Sequence, residues 1–225
     1  MDRPLRIGVI GCGTYGTQIL KCLAAEARRR RITLVALADT DDMARARAEA
    51  RFALPGFASA EAMMHACTLD AVAIATPDHL HTGPIRAALA HGLHVMTEKP
   101  LDVQHDRAAA LADDFVAANL VLYVDLHIRF DPAHIRLRHD IAAGALGRLH
   151  HAAVYMEDRI EVPTQWLRGW VAQSSPSWFL GINFYDLIGW LTGLAPVQVW
   201  ATGQKGVLSG AGLGDVWDSV QANVK

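Results

Sequence analysis

The stretch Leu5–Gly16 constrains this chain most, because an apolar segment there breaks into glycines at positions 11, 13 and 16. The apolar segment predicts a buried strand, and the glycines predict a tight turn that opens a helix. In such a turn Gly11 permits the sharp bend, and Gly13 leaves the backbone bare for a phosphate. Gly16 then lets the helix pack closely against the strand.

A dinucleotide interpretation needs more than three glycines. Bound phosphates would meet the first N–H groups of the helix, near Thr14 and Tyr15. A second apolar run, Ile32–Ala38, ends in Asp39, at about the 20-residue spacing at which an acidic residue binds an adenosine ribose. Asp39 also suits the N-cap of the next helix, although Asp41 can serve there instead. We favour the ribose role, and hence NAD over NADP, because the carboxylate would repel a 2′-phosphate.

Apolar runs and helical periods continue to alternate up to about residue 125. This alternation predicts parallel β-α-β units and a doubly wound sheet. The predicted elements are helices over Tyr15–Arg30, Glu61–Ala66, Leu80–Ala90 and Asp106–Ala118, and strands over Asp70–Ala75, Leu93–Thr97 and Val121–Asp125. Such a sheet binds its ligand at the carboxyl ends of its strands. Chemistry is therefore expected at Thr76–Asp78, Thr97–Pro100 and Asp125–Arg129.

The most informative of these strand ends is Glu98-Lys99-Pro100. Its lysine places an ammonium group in the predicted crevice with a carboxylate beside it. An ammonium there can orient and polarise a substrate hydroxyl or carbonyl. The alternative is a surface ion pair at a turn, which is common in proteins. The predicted position at the crevice favours the catalytic interpretation for Lys99.

These motifs resemble the Gfo/Idh/MocA group of NAD(P)-dependent oxidoreductases, which is named after glucose-fructose oxidoreductase, inositol dehydrogenase and a rhizopine catabolism protein. The stretches that carry the resemblance are Gly8–Gly16, Ala75–His81, Gly92–Pro100 and Arg129–Pro132. The resemblance implies a cofactor site lined by Thr76, Asp78, His81, Glu98 and Lys99. It also implies that Lys99 touches the substrate and that His127 and Arg129 lie near the nicotinamide end.

The resemblance also implies two domains. Residues 1–126 would form a Rossmann domain that binds NAD, and residues 127–225 part of an α+β substrate-binding and dimerisation domain with an open, mostly antiparallel sheet. A helix over Ala133–Ala143 and a strand over Gly147–Asp158 would open that second domain. The final run, Asp218–Lys225, is typical of a strand cut off midway, and the domain is short for such a sheet. We therefore expect a truncated chain.

The catalytic element of the family departs from its usual pattern here. That element is an Asp-x-x-x-His pair on a helix, often followed by a further Asp, and the segment Gly181–Gly193 aligns with it. Phe179 then stands at the Asp position and Asn183 at the His position, while Asp186 is retained. An amide forms hydrogen bonds but does not titrate, so Asn183 can hold a hydroxyl without deprotonating it. Lys99, Asn183 and Asp186 remain the candidate catalytic residues.

Other residue types that could bind a ligand, the tryptophans and histidines, are more simply explained by structural roles. Trp166, Trp170, Trp178 and Trp190 could stack on a sugar, but core packing is the more common role of tryptophan. The histidines elsewhere, including those at positions 79, 81, 150 and 151, do not form a ligand set, and most of them are expected at surfaces or caps. We predict no metal site.

The composition and charge argue against several other classes of protein, including nucleic-acid-binding and membrane proteins. The chain has 225 residues, is 52% hydrophobic and carries a net charge of −2, which is ordinary for a globular protein of one or two domains. Nothing indicates a nucleic-acid partner, and no apolar run reaches the roughly 18 residues that would span a membrane. Its 3 cysteines lack metal spacing, and no signal peptide is recognisable. We expect a cytoplasmic protein, and a homo-oligomer (dimer or tetramer) if the second domain is complete.

The sequence thus predicts an NAD-dependent oxidoreductase that transfers hydride between a nicotinamide and a polyol, sugar or related hydroxy compound. An alternative is a dinucleotide-binding sensor or a degenerate enzyme with little turnover, which Asn183 favours. Glycoside cleavage through transient oxidation is a third possibility known in the family, but it needs the same base chemistry and explains nothing more.

Overall fold

The computed structural model describes residues 3–29 and 31–225, so the predicted helix end at Arg30 lies outside the described residues. The chain divides into two compact units, Met1–Asp125 and Leu126–Lys225. None of the helices in the described ranges is long and apolar enough to cross a bilayer.

The first unit is a doubly wound α/β layer structure, as predicted. Its strands are β1 (Leu5–Ile10), β2 (Ile32–Ala38), β3 (Gly56–Phe57), β4 (Ala71–Ile74), β5 (His94–Thr97) and β6 (Leu122–Val124). Its helices are α1 (Thr14–Arg28), α2 (Asp42–Phe52), α3 (Ala60–Ala66), α4 (Thr82–Ala90) and α5 (His105–Ala117). The strands form one six-stranded sheet in the order β3-β2-β1-β4-β5-β6, and every pairing is parallel. The short strand β3 was not predicted.

Two apolar clusters cover the two faces of this sheet. Adjacent residues of a strand point to opposite faces, and Val9 and Ile10 of β1 belong to different clusters. Ile10 packs in the larger cluster, which contains Phe115 of α5. Val9 packs with Leu20 of α1. Burial of both faces explains why these strands are continuously apolar rather than alternating.

Most predicted element boundaries differ from the observed ones by one or two residues. The start of α4 differs for a physical reason, because Asp78–Leu80 form a separate 3₁₀ turn and the α-helix begins only at Thr82. The segment after β4, where chemistry was expected, therefore has an irregular backbone before α4 begins.

The second unit contains fewer regular elements. They are α6 (Pro132–Ala142), α7 (Ile182–Thr192), β7 (Val199–Gln204), α8 (Val207–Gly210) and β8 (Ser219–Val224). Strands β7 and β8 pair antiparallel as a two-stranded sheet, so the predicted final strand is confirmed.

The predicted strand over Gly147–Asp158 is wrong. These residues have no regular secondary structure and are exposed. A strand satisfies its backbone N–H and C=O groups by pairing with a neighbour. Within the described second unit, β7 and β8 pair only with each other, so residues 147–158 have no strand beside them.

The interpretation of the tryptophans as core residues is also wrong. Trp166 is 56% exposed, and the other three are half-buried. Trp190 lies against the guanidinium of Arg138, whose carbon is 4.4 Å from the ring centroid. These rings therefore pack against polar and aromatic neighbours at the surface of this unit.

Candidate active site

The three glycines of the first turn differ in their surroundings. Gly11 has a φ of +90°, and a Cβ there would lie 2.5 Å from the carbonyl oxygen of Ala75. A Cβ on Gly16 would collide with the carbonyl oxygen of Gly11. A Cβ on Gly13 would meet no atom within 4 Å. Gly11 and Gly16 are thus required by the fold, whereas Gly13 borders open space.

That open space lies at the N-terminus of α1. Gly13 is the N-cap residue, and no side chain of the described residues caps it. Thr14 and Tyr15 follow in the first turn and are exposed. Uncapped N–H groups and the positive end of the helix dipole favour an anion at this position.

Asp39 is held beside the same turn. One of its carboxylate oxygens accepts a hydrogen bond from the Cys12 N–H at 2.6 Å, and the other accepts from the Asp41 N–H at 2.8 Å. Asp41 itself caps α2, accepting from the N–H groups of Met43 at 2.8 Å and Ala44 at 3.1 Å. The alternative that Asp39 is the helix cap is therefore wrong. The link from Asp39 to Cys12 was not foreseen.

The ends of β4 and β5 hold buried polar atoms that lack partners. Among the described residues, Thr76 Oγ1, Thr97 Oγ1 and Glu98 Oε1 are buried without a hydrogen bond. A buried polar atom without a partner costs about 1–3 kcal/mol, so proteins normally satisfy such atoms. Their concentration at the carboxyl edge of this sheet indicates a site that a polar ligand completes.

His81 connects two of these strand ends. The side chain is 0% exposed, with Nδ1 2.6 Å from the carbonyl oxygen of Pro100 and Nε2 2.9 Å from that of Thr76. Burial lowers the pKa of His81, against the opposing effect of the two carbonyl groups and Asp78. His81 is the N-cap residue of α4, but it is buried, so the expectation of a surface position is wrong for it. Its ring ties together the turns after β4 and β5.

A second contact, missed by the sequence reasoning, supports the turn after β5. Asp102 is buried and accepts hydrogen bonds from the Thr82 hydroxyl, the Gln104 N–H at 2.8 Å and the Arg107 guanidinium at 2.8 and 3.0 Å. Because these donors favour the anion, the pKa of Asp102 is lowered despite its burial. The first turns of α4 and α5 thus anchor the segment that follows Lys99.

Glu98 and Lys99 occupy the turn itself. Lys99 is half-buried, and Glu98 is 8% exposed. Burial, and then the neighbouring Asp125, raise the pKa of Glu98 to about 8. The alternative of a surface ion pair is therefore wrong for Glu98. Asp78 is also buried near His81, so the first unit brings together Thr76, Asp78, His81, Glu98 and Lys99.

In the second unit, α7 carries the remaining catalytic candidates. Asn183 is 4% exposed, its Nδ2 donates to the Leu180 carbonyl at 3.2 Å, and its Oδ1 has no partner among the described residues. Asp186 lies one turn further along α7. It accepts two hydrogen bonds from Arg129, one of them from Nε at 2.6 Å. Asp186 thus joins α7 to the 3₁₀ turn His127–Phe130.

The remaining predicted residues of the second unit lie near this junction. His127 begins the 3₁₀ turn and is exposed. Phe179 precedes α7 and lies edge-on to Trp170, with ring centroids 6.2 Å apart. The cofactor-binding role of His127 stays a prediction.

The residues of the first unit fit a dinucleotide. A bare Gly13 and an uncapped helix suit a pyrophosphate, and the carboxylate of Asp39 beside them suits a ribose diol. Beyond them, the buried atoms without partners at the ends of β4 and β5 can accept or donate hydrogen bonds. In the described part of the chain, no group of three or more His, Cys, Asp or Glu side chains could hold a metal ion.

Comparisons with known proteins agree with this geometry. Residues 5–126 match the family model described as an oxidoreductase family with an NAD-binding Rossmann fold. The rhizopine catabolism protein MocA of Rhizobium meliloti is 31% identical over 96% of this chain and 66% of its own length. Inositol 2-dehydrogenase of the same species is 28% identical over 95% of this chain and 62% of its own length.

A solved structure shows the same fold over nearly the whole chain. Myo-inositol 2-dehydrogenase from Lactobacillus plantarum matches with a TM-score of 0.90 at 22% identity, covering 99% of this chain and 66% of that one. The chain thus spans somewhat less than two thirds of the length of these relatives. With a six-stranded parallel sheet and a family match over residues 5–126, this chain belongs to the Gfo/Idh/MocA family of oxidoreductases with an NAD-binding Rossmann fold.

Proposed function

We propose that this protein oxidises a secondary hydroxyl group of a polyol, sugar or related compound with NAD as hydride acceptor. The observation that carries the proposal is the carboxyl edge of the first unit. There the glycine turn, Asp39 and Lys99 accompany buried polar atoms that lack partners. Among the relatives, an inositol 2-dehydrogenase supports a cyclic polyol as the substrate class.

The cofactor would be held by the residues around the strand ends. We assign the pyrophosphate to the turn from Gly11 to Gly16 and the ribose to Asp39. Bound NAD supplies the ring that accepts hydride. We infer a preference for NAD over NADP because Asp39 is anionic and would repel a 2′-phosphate. The other residues of the first unit proposed to line the cofactor are Thr76, Asp78, Glu98 and Lys99, and His81 holds the turns after β4 and β5. A cofactor contact is proposed separately for His127 of the second unit.

Roles toward the substrate are proposed separately for Lys99 in the first unit and for Asn183 in the second. The half-buried ammonium of Lys99 polarises the hydroxyl and stabilises negative charge on its oxygen. The Oδ1 atom of Asn183 accepts a hydrogen bond from a substrate hydroxyl and so orients it, but it takes up no proton at physiological pH. The hydroxyl proton therefore passes to water as the hydride leaves for the nicotinamide. Asp186 is engaged by Arg129, so its role is to position the start of α7 rather than to act as a base.

The test is NADH formation with myo-inositol and a panel of other polyols and sugars. The wild type is compared with Lys99→Ala and Asn183→His. Loss of Lys99 should reduce kcat by about 10²- to 10⁴-fold, and Asn183→His should increase kcat because an imidazole can accept the proton. If the wild type binds NAD without turnover and only Asn183→His is active, the protein is a sensor or a degenerate enzyme. An unchanged kcat in Lys99→Ala would overturn the role of Lys99.

We further propose a homo-oligomer that assembles through the second unit, in the cytoplasm. Supporting this, β7 is exposed along its whole length, and Val199 and Trp200 are among its large apolar residues. Apolar surface of this kind is typical of interfaces. The described cysteines are unpaired thiols, as in a reducing compartment. Light scattering after size exclusion measures the oligomer, and a monomer at all concentrations would contradict it.

A further inference from the structure

The ends of β5 and β6 bring two carboxyl groups together. The Asp125 N–H donates to the Thr97 carbonyl at 2.8 Å, beside the pairing of Thr97 with Val124. The Glu98 N–H donates to the Ile74 carbonyl of β4 at 2.9 Å. The backbone is therefore held on both sides, and Glu98 and Asp125 directly follow the paired residues Thr97 and Val124, so their side chains are neighbours on one face of the sheet.

A hydrogen bond between two carboxyl groups requires a proton. Ionised carboxylates are acceptors only, and two of them in contact repel each other. Burial strengthens this repulsion because little water is present to screen the charges. Glu98 is the more buried partner, whereas Asp125 is half-buried. The proton is therefore expected on Glu98, whose O–H can donate a hydrogen bond to Asp125.

Two other titratable groups face this pair. Lys99 favours the ionised form of Glu98, but burial and Asp125 outweigh it and raise the pKa of Glu98. Partial burial, and then the charges of Glu98 and Asp125, raise the pKa of Tyr15 at the start of α1. Tyr15 therefore stays neutral and adds no charge to the cluster.

The second oxygen of Glu98 points to a role beyond structure. Glu98 Oε1 is buried and has no hydrogen-bond partner among the described residues. As a neutral acid, Glu98 therefore presents a polar oxygen that no described residue satisfies. A structural carboxyl pair would be expected to satisfy both of its oxygens.

We propose that Glu98 and Asp125 share one proton at neutral pH, so that Glu98 faces the cofactor as a neutral carboxylic acid and Asp125 is the positioning residue that keeps it protonated. The sequence predicts chemistry in the segment Asp125–Arg129 but assigns no role to Asp125 itself. The pair then carries one negative charge beside Lys99 instead of two.

The consequence for the cofactor rests on the proposed function. NAD⁺ has a positively charged nicotinamide ring, and NADH has a neutral one. When the shared proton dissociates, the strand ends gain a second negative charge, which attracts a cationic ring more strongly than a neutral one. The affinity for NAD⁺ relative to NADH should therefore rise as the pH passes through about 8.

Infrared spectroscopy of the protein without cofactor tests the shared proton directly. A protonated carboxyl group absorbs apart from a carboxylate, so the wild type should show an acid band at pH 7 that is lost near pH 8. Glu98→Gln should abolish the band. Asp125→Asn removes the like charge and should move the loss of the band down by about one pH unit or more. Glu61→Gln, which alters an exposed carboxylate in the first turn of α3, is the matched control.

The outcomes separate this proposal from the proposed function. An acid band absent from the wild type at pH 7, or present and unchanged in both Glu98→Gln and Asp125→Asn, would overturn the shared proton. The second measurement is calorimetric titration with NAD⁺ and with NADH on either side of pH 8. A pH-dependent ratio of the two affinities in the wild type and a flat ratio in Glu98→Gln support the role at the cofactor. The same ratio change in both proteins contradicts it. Absence of any NAD⁺ binding overturns the proposed function but leaves the infrared result decisive for the proton.

Discussion

The two units bury their apolar residues to very different extents. In the first, both faces of a parallel sheet are covered by helices, and the two clusters include residues from all the longer strands. In the second, the buried cluster consists of Leu208, Leu213 and Val216, and β7 is exposed throughout. The residues proposed to bind the cofactor in the first unit therefore stand on an extensive buried core. The candidate residues of the second unit are held by a few polar contacts, of which the pair of Arg129 with Asp186 is the clearest.

The largest effects are expected in the glycine turn, where two substitutions separate folding from binding. Gly16→Ala drives a methyl group into the carbonyl of Gly11 and should cost about 1–3 kcal/mol of unfolding free energy. Gly13→Ala meets no atom within 4 Å, so its thermal unfolding should match the wild type while NAD binding weakens. Thermal denaturation and NAD titration of both variants check this. If Gly16→Ala and Gly13→Ala lower the unfolding temperature equally, the claim that only Gly16 is required by the fold is contradicted.

A smaller effect is expected from Arg129→Ala in the second unit. The change leaves the half-buried carboxylate of Asp186 without this partner. It should lower the free energy of unfolding by about 1–2 kcal/mol, which lies between the contributions typical of exposed and of buried ion pairs. Tryptophan fluorescence during denaturation reports this loss of stability, because Trp190 lies in α7 and Trp178 lies shortly before it. Arg136→Ala is the control, since its pair with Asp140 is on the surface. If Arg136→Ala loses as much unfolding free energy as Arg129→Ala, the pair of Arg129 with Asp186 has no special role in stability.

The last effect is confined to high pH and concerns the pH dependence of stability. The pKa of Glu98 is raised by folding to about 8 from an ordinary value of 4.5. Over that interval the folded state binds more protons than the unfolded state, so Glu98 makes stability fall as the pH rises. Glu98→Gln removes this slope and should be more stable than the wild type above pH 8, by about 1 kcal/mol or more. Denaturant unfolding at pH 5 and pH 9 checks the sign, and parallel curves for the two proteins would contradict it.

The same contrast explains how far the sequence alone could lead. The glycine turn, Asp39 and the alternation of strands and helices were predictable because each depends on local spacing. The contact of Glu98 with Asp125 was not, because it arises from two strands that are adjacent only in the folded sheet. The structural role of His81 was not predictable for the same reason, since nothing local indicates that its ring lies between the carbonyl groups of Thr76 and Pro100.

In the second unit, local pattern was less reliable. The run Gly147–Asp158 has the apolar content of a strand, but strand formation depends on a partner that local sequence does not reveal. The tryptophans were expected to be buried because they are large and apolar. Their exposure reflects how little core this unit has in the described residues. The Asn183 and Asp186 positions were found from the family motif, whereas the engagement of Asp186 by Arg129 was visible only in the structure.

The central claim is that the first unit is an NAD site in which Asp39 binds the adenosine ribose. Equilibrium titration of the wild type and Asp39→Ala with NAD⁺ and NADP⁺ tests it most directly. Loss of hydrogen bonds to a charged group costs about 1.5–3 kcal/mol, so NAD⁺ affinity should fall by about 10- to 100-fold while NADP⁺ affinity falls less or rises. Equal losses for the two cofactors, or a wild type that binds neither, would contradict the claim.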